Sequence, residues 1–337
     1  MTPVLSIKPL AFPWETKDPF LFCAFHEDIY PPGNDQLGPE PSWLQGRTLG
    51  QDFEIKDGFR MYHGTKVPGF PSHPHRGFET VTIAQKGLVD HSDSLGAAGR
   101  FGNGDVQWMT AGRGVQHCEM FPLLNKEGTN PLLMFQIWLN LPREKKLTTP
   151  HFAMLWNEQI PKHHHQDTKG NQTEITVIAG ILDGTIGLPP APDSWASNPA
   201  NEVCIWTIKM DPEAEWVLPA AGSDLNRSLY CYKGTSFHIA DTGISNDHVV
   251  TLLSNERVKI TNGQTESHFL FLQGKPINEP VAQYGPFVMN NDAEIQQTIR
   301  EYQQTQFGGW PWPKTDHTHG ANDGRFAKYA DGRIEKK

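Results

Sequence analysis

Four side chains in two short stretches have the types and spacing of a metal site. The first stretch is His73-Pro74-His75 and the second is His117-Cys118-Glu119. On an extended strand, residues i and i+2 face the same side about 6.7 Å apart, so each stretch can present two donors to one face. Neutral imidazoles and a carboxylate suit a borderline divalent ion such as iron, zinc, nickel or copper. An octahedral ion held by four such ligands keeps two positions for substrate or dioxygen, whereas zinc is more often tetrahedral and saturated. The chain has 15 histidines and three His-x-His patterns: His73/His75, His163/His165 and His317/His319. Chance alone gives roughly 0.7 such pairs, so context must separate them. The last two pairs lie in polar runs and read as solvated imidazoles. His73 and His75 lead into a core-like strand, where the competing reading is two hydrogen-bonded core histidines.

The elements around these residues must position them. ETVTIA (79–84) alternates and is β-branched, and if the strand from His73 is unbroken, Gly77, Glu79, Val81 and Ile83 continue the histidine face. Glu79 would then either orient a ligand from outside the coordination sphere or stand as a charge at a barrel mouth. Pro74 cannot donate to a ladder, so this segment is an edge, a bulge or a strand start. Gly112 and Gly114 permit a tight turn just before His117. Alternation turns the Cys118 sulfur away from the metal, as a buried thiol. Phe70 and Trp108 are candidate walls of a substrate pocket, Phe70 the stronger because it adjoins the first ligand.

A chain of 337 residues carries a prior of about two domains. With 31 Gly and 27 Pro it favours many turns and short strands, the texture of sandwiches and barrels. VTIAQKGLVDH (81–91) resembles LYCYKGTSFHI (229–239) at an offset of 147 residues, which points to two copies of one barrel. The expected organisation is a metal-binding barrel over 1–150, a polar linker over 151–172, a second barrel over 173–290, and a helix and tail over 291–337. Asn291 caps the helix with Glu294 three residues on, Ile295, Ile299 and Tyr302 share a face, and Gly308-Gly309 ends it. Beyond Pro313 the polar tail is expected to be loosely held. At the 147 offset His73 and His75 fall on Ala220 and Gly222, while Glu266 and His268 lack a partner pair, so the second barrel reads as metal-free.

A net charge of −9 argues against a general nucleic-acid binder. The opening MTPVLSIKPLAFPWE lacks the pattern of a secretory signal. The apolar stretch from Pro131 to Pro142 is too short to span a bilayer and contains Gln136 and Asn140. Cysteines 23, 118, 204 and 231 form no disulfide framework. These features give the expectation of a cytoplasmic monomer with no direct nucleic-acid or membrane partner.

The strings HPHRGFETVT (73–82), GDVQWMTAGRG (104–114), HCEM (117–120) and YGPFVMN (284–290) resemble the pirin family, whose two barrels are cupins. That resemblance implies an all-β fold of two cupin (RmlC-like jelly-roll) barrels in tandem with a C-terminal helix. It implies one divalent ion in the first barrel, usually Fe(II), with Ni, Cu, Mn or Zn as alternatives, held by His73, His75, His117 and Glu119. It also implies a quercetin 2,3-dioxygenase type of activity on a small aromatic substrate with O2. Glu119 would take the 3-hydroxyl proton of a flavonol, and ring cleavage would release carbon monoxide. The family equally implies a second possibility, an iron-binding, redox-sensitive regulator that acts on a protein partner without turnover. Residues 40–67 look like an insertion relative to shorter members, and are expected to lengthen a loop over the site.

Overall fold

Runs of β-branched and aromatic residues between glycine- and proline-rich turns become strands throughout the computed structural model, which describes residues 2–337. The chain begins with β1 (Val4–Pro9), β2 (Phe20–Tyr30), β3 (Gly69–His75), β4 (Phe78–Lys86), β5 (Leu88–Asp93) and β6 (Ala98–Gly102). It continues with β7 (Asp105–Thr110), β8 (Val115–Met120), β9 (Asn130–Asn140), β10 (His151–Leu155), β11 (Lys162–Gln166) and β12 (Gln172–Ala179). Next come β13 (Ile181–Leu182), β14 (Thr185–Ile186), β15 (Cys204–Met210), β16 (Glu215–Leu218), β17 (Asn226–Lys233) and β18 (Ser236–Ile239). Then follow β19 (Thr242–Ser245), β20 (His248–Leu252), β21 (Val258–Asn262) and β22 (Ser267–Gly274). The chain finishes with β23 (Ala282–Tyr284), β24 (Phe287–Met289), helix α1 (Asp292–Thr305), β25 (Phe326–Lys328) and β26 (Ile334–Lys336).

Two sheets make the first barrel, in the orders β10-β7-β4-β9-β2 and β26-β25-β6-β5-β8-β3. The second barrel uses β1-β20-β17-β22-β15-β12-β11 and β16-β21-β18-β19. Residues 1–23 and 158–278 form one compact unit, and 24–157 with 279–337 form the other. This differs from the continuous segments 1–150 and 173–290 expected from sequence. The reason is edge pairing: β1 adds antiparallel to β20, and β25 adds antiparallel to β6, so each end of the chain covers an open strand edge of its unit. The expected linker 151–172 also holds structure, with β10 paired to β7 and β11 paired to β12.

The helix forms as its sequence predicts. The Asn291 side chain accepts from the Glu294 amide at 3.0 Å, and the Glu294 carboxylate accepts from the Asn290 amide at 2.8 Å. Ile295, Ile299 and Tyr302 pack with Phe287, Met289 and Phe307. Gln306, in the left-handed region, ends the helix before the glycines do. The tail beyond Pro313 departs from its expectation of looseness. Arg100 pairs with Asp90 in the first barrel, donates to the Gly320 carbonyl at 2.7 Å and to the His319 carbonyl at 3.1 Å. His319 is buried and its amide donates to Asp90 at 2.8 Å, so this histidine is not the solvated group its polar setting predicted.

Candidate metal centre

Pro74 is tolerated because β3 is the edge strand of its sheet, with a bulge between Phe70 and His73. Register places His73 opposite His117 and Phe70 opposite Glu119. On the other side of β8, β5 places His91 opposite Glu119 and Asp93 opposite His117. Donor-bearing side chains from three adjacent strands therefore share one inward face. Gly114, at φ +130°, makes the turn into β8, and a Cβ there would run into the Phe307 ring.

The donor nitrogens of His73, His75 and His117 all lie within 4.8 Å of one another. His73 Nδ1 donates to the Pro71 carbonyl at 2.8 Å, which fixes that tautomer and leaves Nε2 with a free lone pair. Neither nitrogen of His117 has a hydrogen-bond partner, and neither nitrogen of His75 has a well-aligned one, although the Pro286 carbonyl comes near it. An unsatisfied buried polar group costs about 1–3 kcal/mol, so idle nitrogens gathered at one point are the mark of a site built for a ligand. Burial depresses the basicity of all three imidazoles, His73 to about 4 and the others well below the ordinary histidine value, with repulsion from neighbouring imidazoles adding to it. They are held neutral, as metal ligands must be. This donor set fits a divalent ion.

Glu119 lies beside His117, outside the cluster of three. Its Oε2 lies 3.8 Å from His117 Nε2 and accepts from Gln136 Nε2 at 2.8 Å. Its Oε1 lies 3.0 Å from the Thr82 hydroxyl, which also touches Gln136 Oε1. A hydroxyl has one proton to give, so Thr82 can donate to Glu119 or to Gln136 but not to both at once. Burial raises the pKa of the Glu119 carboxyl, while His91, Thr82 and Gln136 oppose the rise.

Two sequence expectations are corrected. The strand is broken at Arg76-Gly77, with Gly77 at φ +86°, and the turn shifts the alternation by one residue. Thr82 of β4 thus reaches Glu119, while Glu79 lies on the opposite face and binds the Thr110 hydroxyl at 2.7 Å. Trp108 pairs with Val81, on that same far face, and is fully buried away from the imidazoles. The tryptophan beside the site is Trp138, whose ring centroid is 5.4 Å from His75 and 4.2 Å from Phe78. Phe70 is where it was expected, with its ring 6.4 Å from His73. Phe70, Gln136 and Trp138 are half-buried beside the histidines and Glu119.

The structure adds residues that the sequence reading missed. His91 is buried 5.4 Å from the His117 ring with Nδ1 unpartnered, and Thr80 and Gln107 turn further unpartnered polar atoms inward. The alternation in LVDHSD, read as a strand, could have revealed His91 and Asp93. Cys118 points away, as expected, into a cluster with Leu37, Val67 and Met120, and burial pushes its thiol up to about 12. The 40–67 segment packs into a hydrophobic core of its unit. It buries Phe59, Met61 and Tyr62, and Tyr62 packs 5.1 Å from Phe70 while hydrogen-bonding Asp28 and His26.

Comparison with known proteins agrees with this architecture. The Pirin family profile matches residues 36–139, and the Pirin C-terminal cupin domain profile matches 205–308. Pirin-1 of Arabidopsis thaliana is 37% identical over 242 residues, 71% of this chain and 78% of that protein. A Vibrio cholerae protein provisionally named quercetin 2,3-dioxygenase is 35% identical over 249 residues, 72% of this chain and 80% of its own length. The crystal structure of quercetin 2,3-dioxygenase from Acinetobacter baumannii superposes with a TM-score of 0.70 at 28% identity, covering 92% of this chain and 99% of that one. The motifs around His73 and His117 thus sit within a two-cupin framework shared along most of the chain, which belongs to the pirin family.

Proposed function

We propose that the first barrel is a metal-dependent dioxygenase site of the quercetin 2,3-dioxygenase type, acting on a flavonol-like phenol with O2. The observation that carries this reading is the convergence of three neutral imidazoles, two of them buried and His73 half-buried. His73, His75, His117 and Glu119 would hold the ion, with Fe(II) first among the candidates and Ni, Cu, Mn or Zn served by the same donors. The ion supplies Lewis acidity that makes a phenol oxygen easier to ionise, and access to dioxygen chemistry. Phe70 and Trp138 offer flat apolar surfaces to the substrate's rings at the opening. Glu119 accepts the 3-hydroxyl proton as general base, with Thr82 and Gln136 steering its two oxygens. Mutual repulsion and burial keep the imidazoles from competing for that proton.

The test is oxygen uptake and carbon monoxide release by the iron-loaded protein given quercetin. Glu119→Gln should cut kcat by roughly 10²–10⁴ while the His117 variant loses the ion. Iron-loaded protein that consumes no oxygen across a flavonol panel would overturn the reading, in favour of a regulator that works through a protein partner.

A further inference from the structure

Among the described residues the second barrel has no counterpart of the histidine cluster, yet it holds a cavity of its own. In sheet order β17 and β22 stand where β4 and β9 stand in the first barrel. With Lys233-Gly234 laid on Lys86-Gly87, Arg227 falls on Thr80, and its cross-strand partner Gln273 falls on Trp138. Those are the first-barrel residues next to the histidine site. The corresponding place in the second barrel is a cavity of about 390 Å³, within the size range of small-molecule pockets.

Its walls are apolar, including Ile186, Leu188, Pro190, Val203 and Trp206. Arg227 lies on this cavity with only 2% of its surface exposed. Its Nε donates to Gln273 Oε1 at 2.8 Å and its Nη1 to the Pro219 carbonyl at 3.0 Å. Gln273 is itself held through the Glu202 carbonyl, so the guanidinium is braced from behind. Among the described residues no carboxylate stands within ion-pair distance of Arg227, and Nη2 has no acceptor. Glu202 is the one acid on the cavity wall, exposed, with its carboxylate accepting from the Gly222 amide at 3.3 Å. Glu202 acts on Arg227 only from beyond ion-pair distance; a buried cation without a directly paired carboxylate is costly, and arginine's planar fork is shaped to receive one.

We propose that this cavity is a second ligand site, which takes a small organic acid with an apolar body and reads its carboxylate through Arg227. A single guanidinium between hydrocarbon walls suits one negative charge attached to a ring or chain, and the cavity offers no lysine or second arginine for a phosphate. The site is independent of the first barrel's chemistry.

Calorimetry on the full metal-loaded chain tests this, with 4-phenylbutyrate and its neutral primary amide as probes. The acid should bind at least tenfold more tightly than the amide. Arg227→Met should remove acid binding while the protein keeps its melting temperature or gains, because an unpaired buried charge has been replaced by an apolar chain. Ser197→Trp, at the exposed rim, should block the acid without touching the guanidinium. Equal binding of acid and amide, or no binding of either to the folded wild type, overturns the proposal. Acid binding that survives both variants but disappears in His117→Ala places the acid in the first barrel and overturns it as well.

Discussion

In the first barrel β3 and β8 set His73 against His117. In the second, β16 and β21 hold the same places in sheet order and set Trp216 against Ile260 and Leu218 against Val258. All four of the latter belong to an apolar core that includes Phe237, Phe269 and Phe271. The sheet order thus refines the mapping onto Ala220 and Gly222 that the 147 offset gave. Fully burying one such apolar side chain is worth about 1.5–3 kcal/mol, whereas each idle polar atom in the first barrel costs a similar amount. One scaffold has therefore been filled in two ways, one with a packed apolar core and one with a cluster of largely unpartnered imidazoles, and the difference lies in a few inward positions on two paired strands.

The largest test of that contrast is a metal count. Wild-type protein should carry one ion per chain and His117→Ala essentially none, by elemental analysis after purification without added metals. Two ions per chain would break the comparison. A smaller effect follows from the grip on Glu119: Gln136→Leu should weaken metal affinity by roughly 10–100-fold, read by chelator competition, with the fold unchanged by circular dichroism.

Acid should separate the barrels next. In metal-free protein, His26, His73, His75 and His117 are held neutral by burial, His26 to about 3 and His73 to about 4. The unfolded chain takes up protons below about pH 6.5 that the folded barrel refuses. Stability present above pH 6.5 is therefore lost as the pH falls toward 4, by about 1.4 kcal/mol per pH unit for each refusing imidazole. Hydrogen exchange corrected for its intrinsic pH dependence should show the first barrel loosening, while the histidine-free core of the second holds. The smallest effect belongs to Glu266 and His268, spaced like ligands but meeting each other at 2.7 Å on a partly exposed face. Glu266→Ala should leave the ion count unchanged and shift stability by less than about 1 kcal/mol.

Much of this was legible from residue spacing. His-x-His and His-x-Glu come to one inward face because both lie on strands, where a period of two is strict, and the capping pair at Asn291 and Glu294 acts within one turn. What failed was phase. Carrying the alternation through Arg76-Gly77 puts Glu79 on the histidine face, but a turn there resets it and Thr82 takes the inward place; Trp138, not Trp108, is the tryptophan beside the histidines. Pairings distant in sequence, such as Phe326 with Arg100, leave no periodic trace, and so the packing of the tail was illegible.

That packing has a consequence for how the protein comes into being. The histidine-bearing strands leave the ribosome long before the segment that clamps the back of β5, through His319, Arg100 and β25. β1 must likewise wait for β20, which is made much later. Each barrel therefore closes only when a strand distant in sequence arrives, and a chain cut short before residue 319 would carry every proposed ligand and still lack the brace behind them.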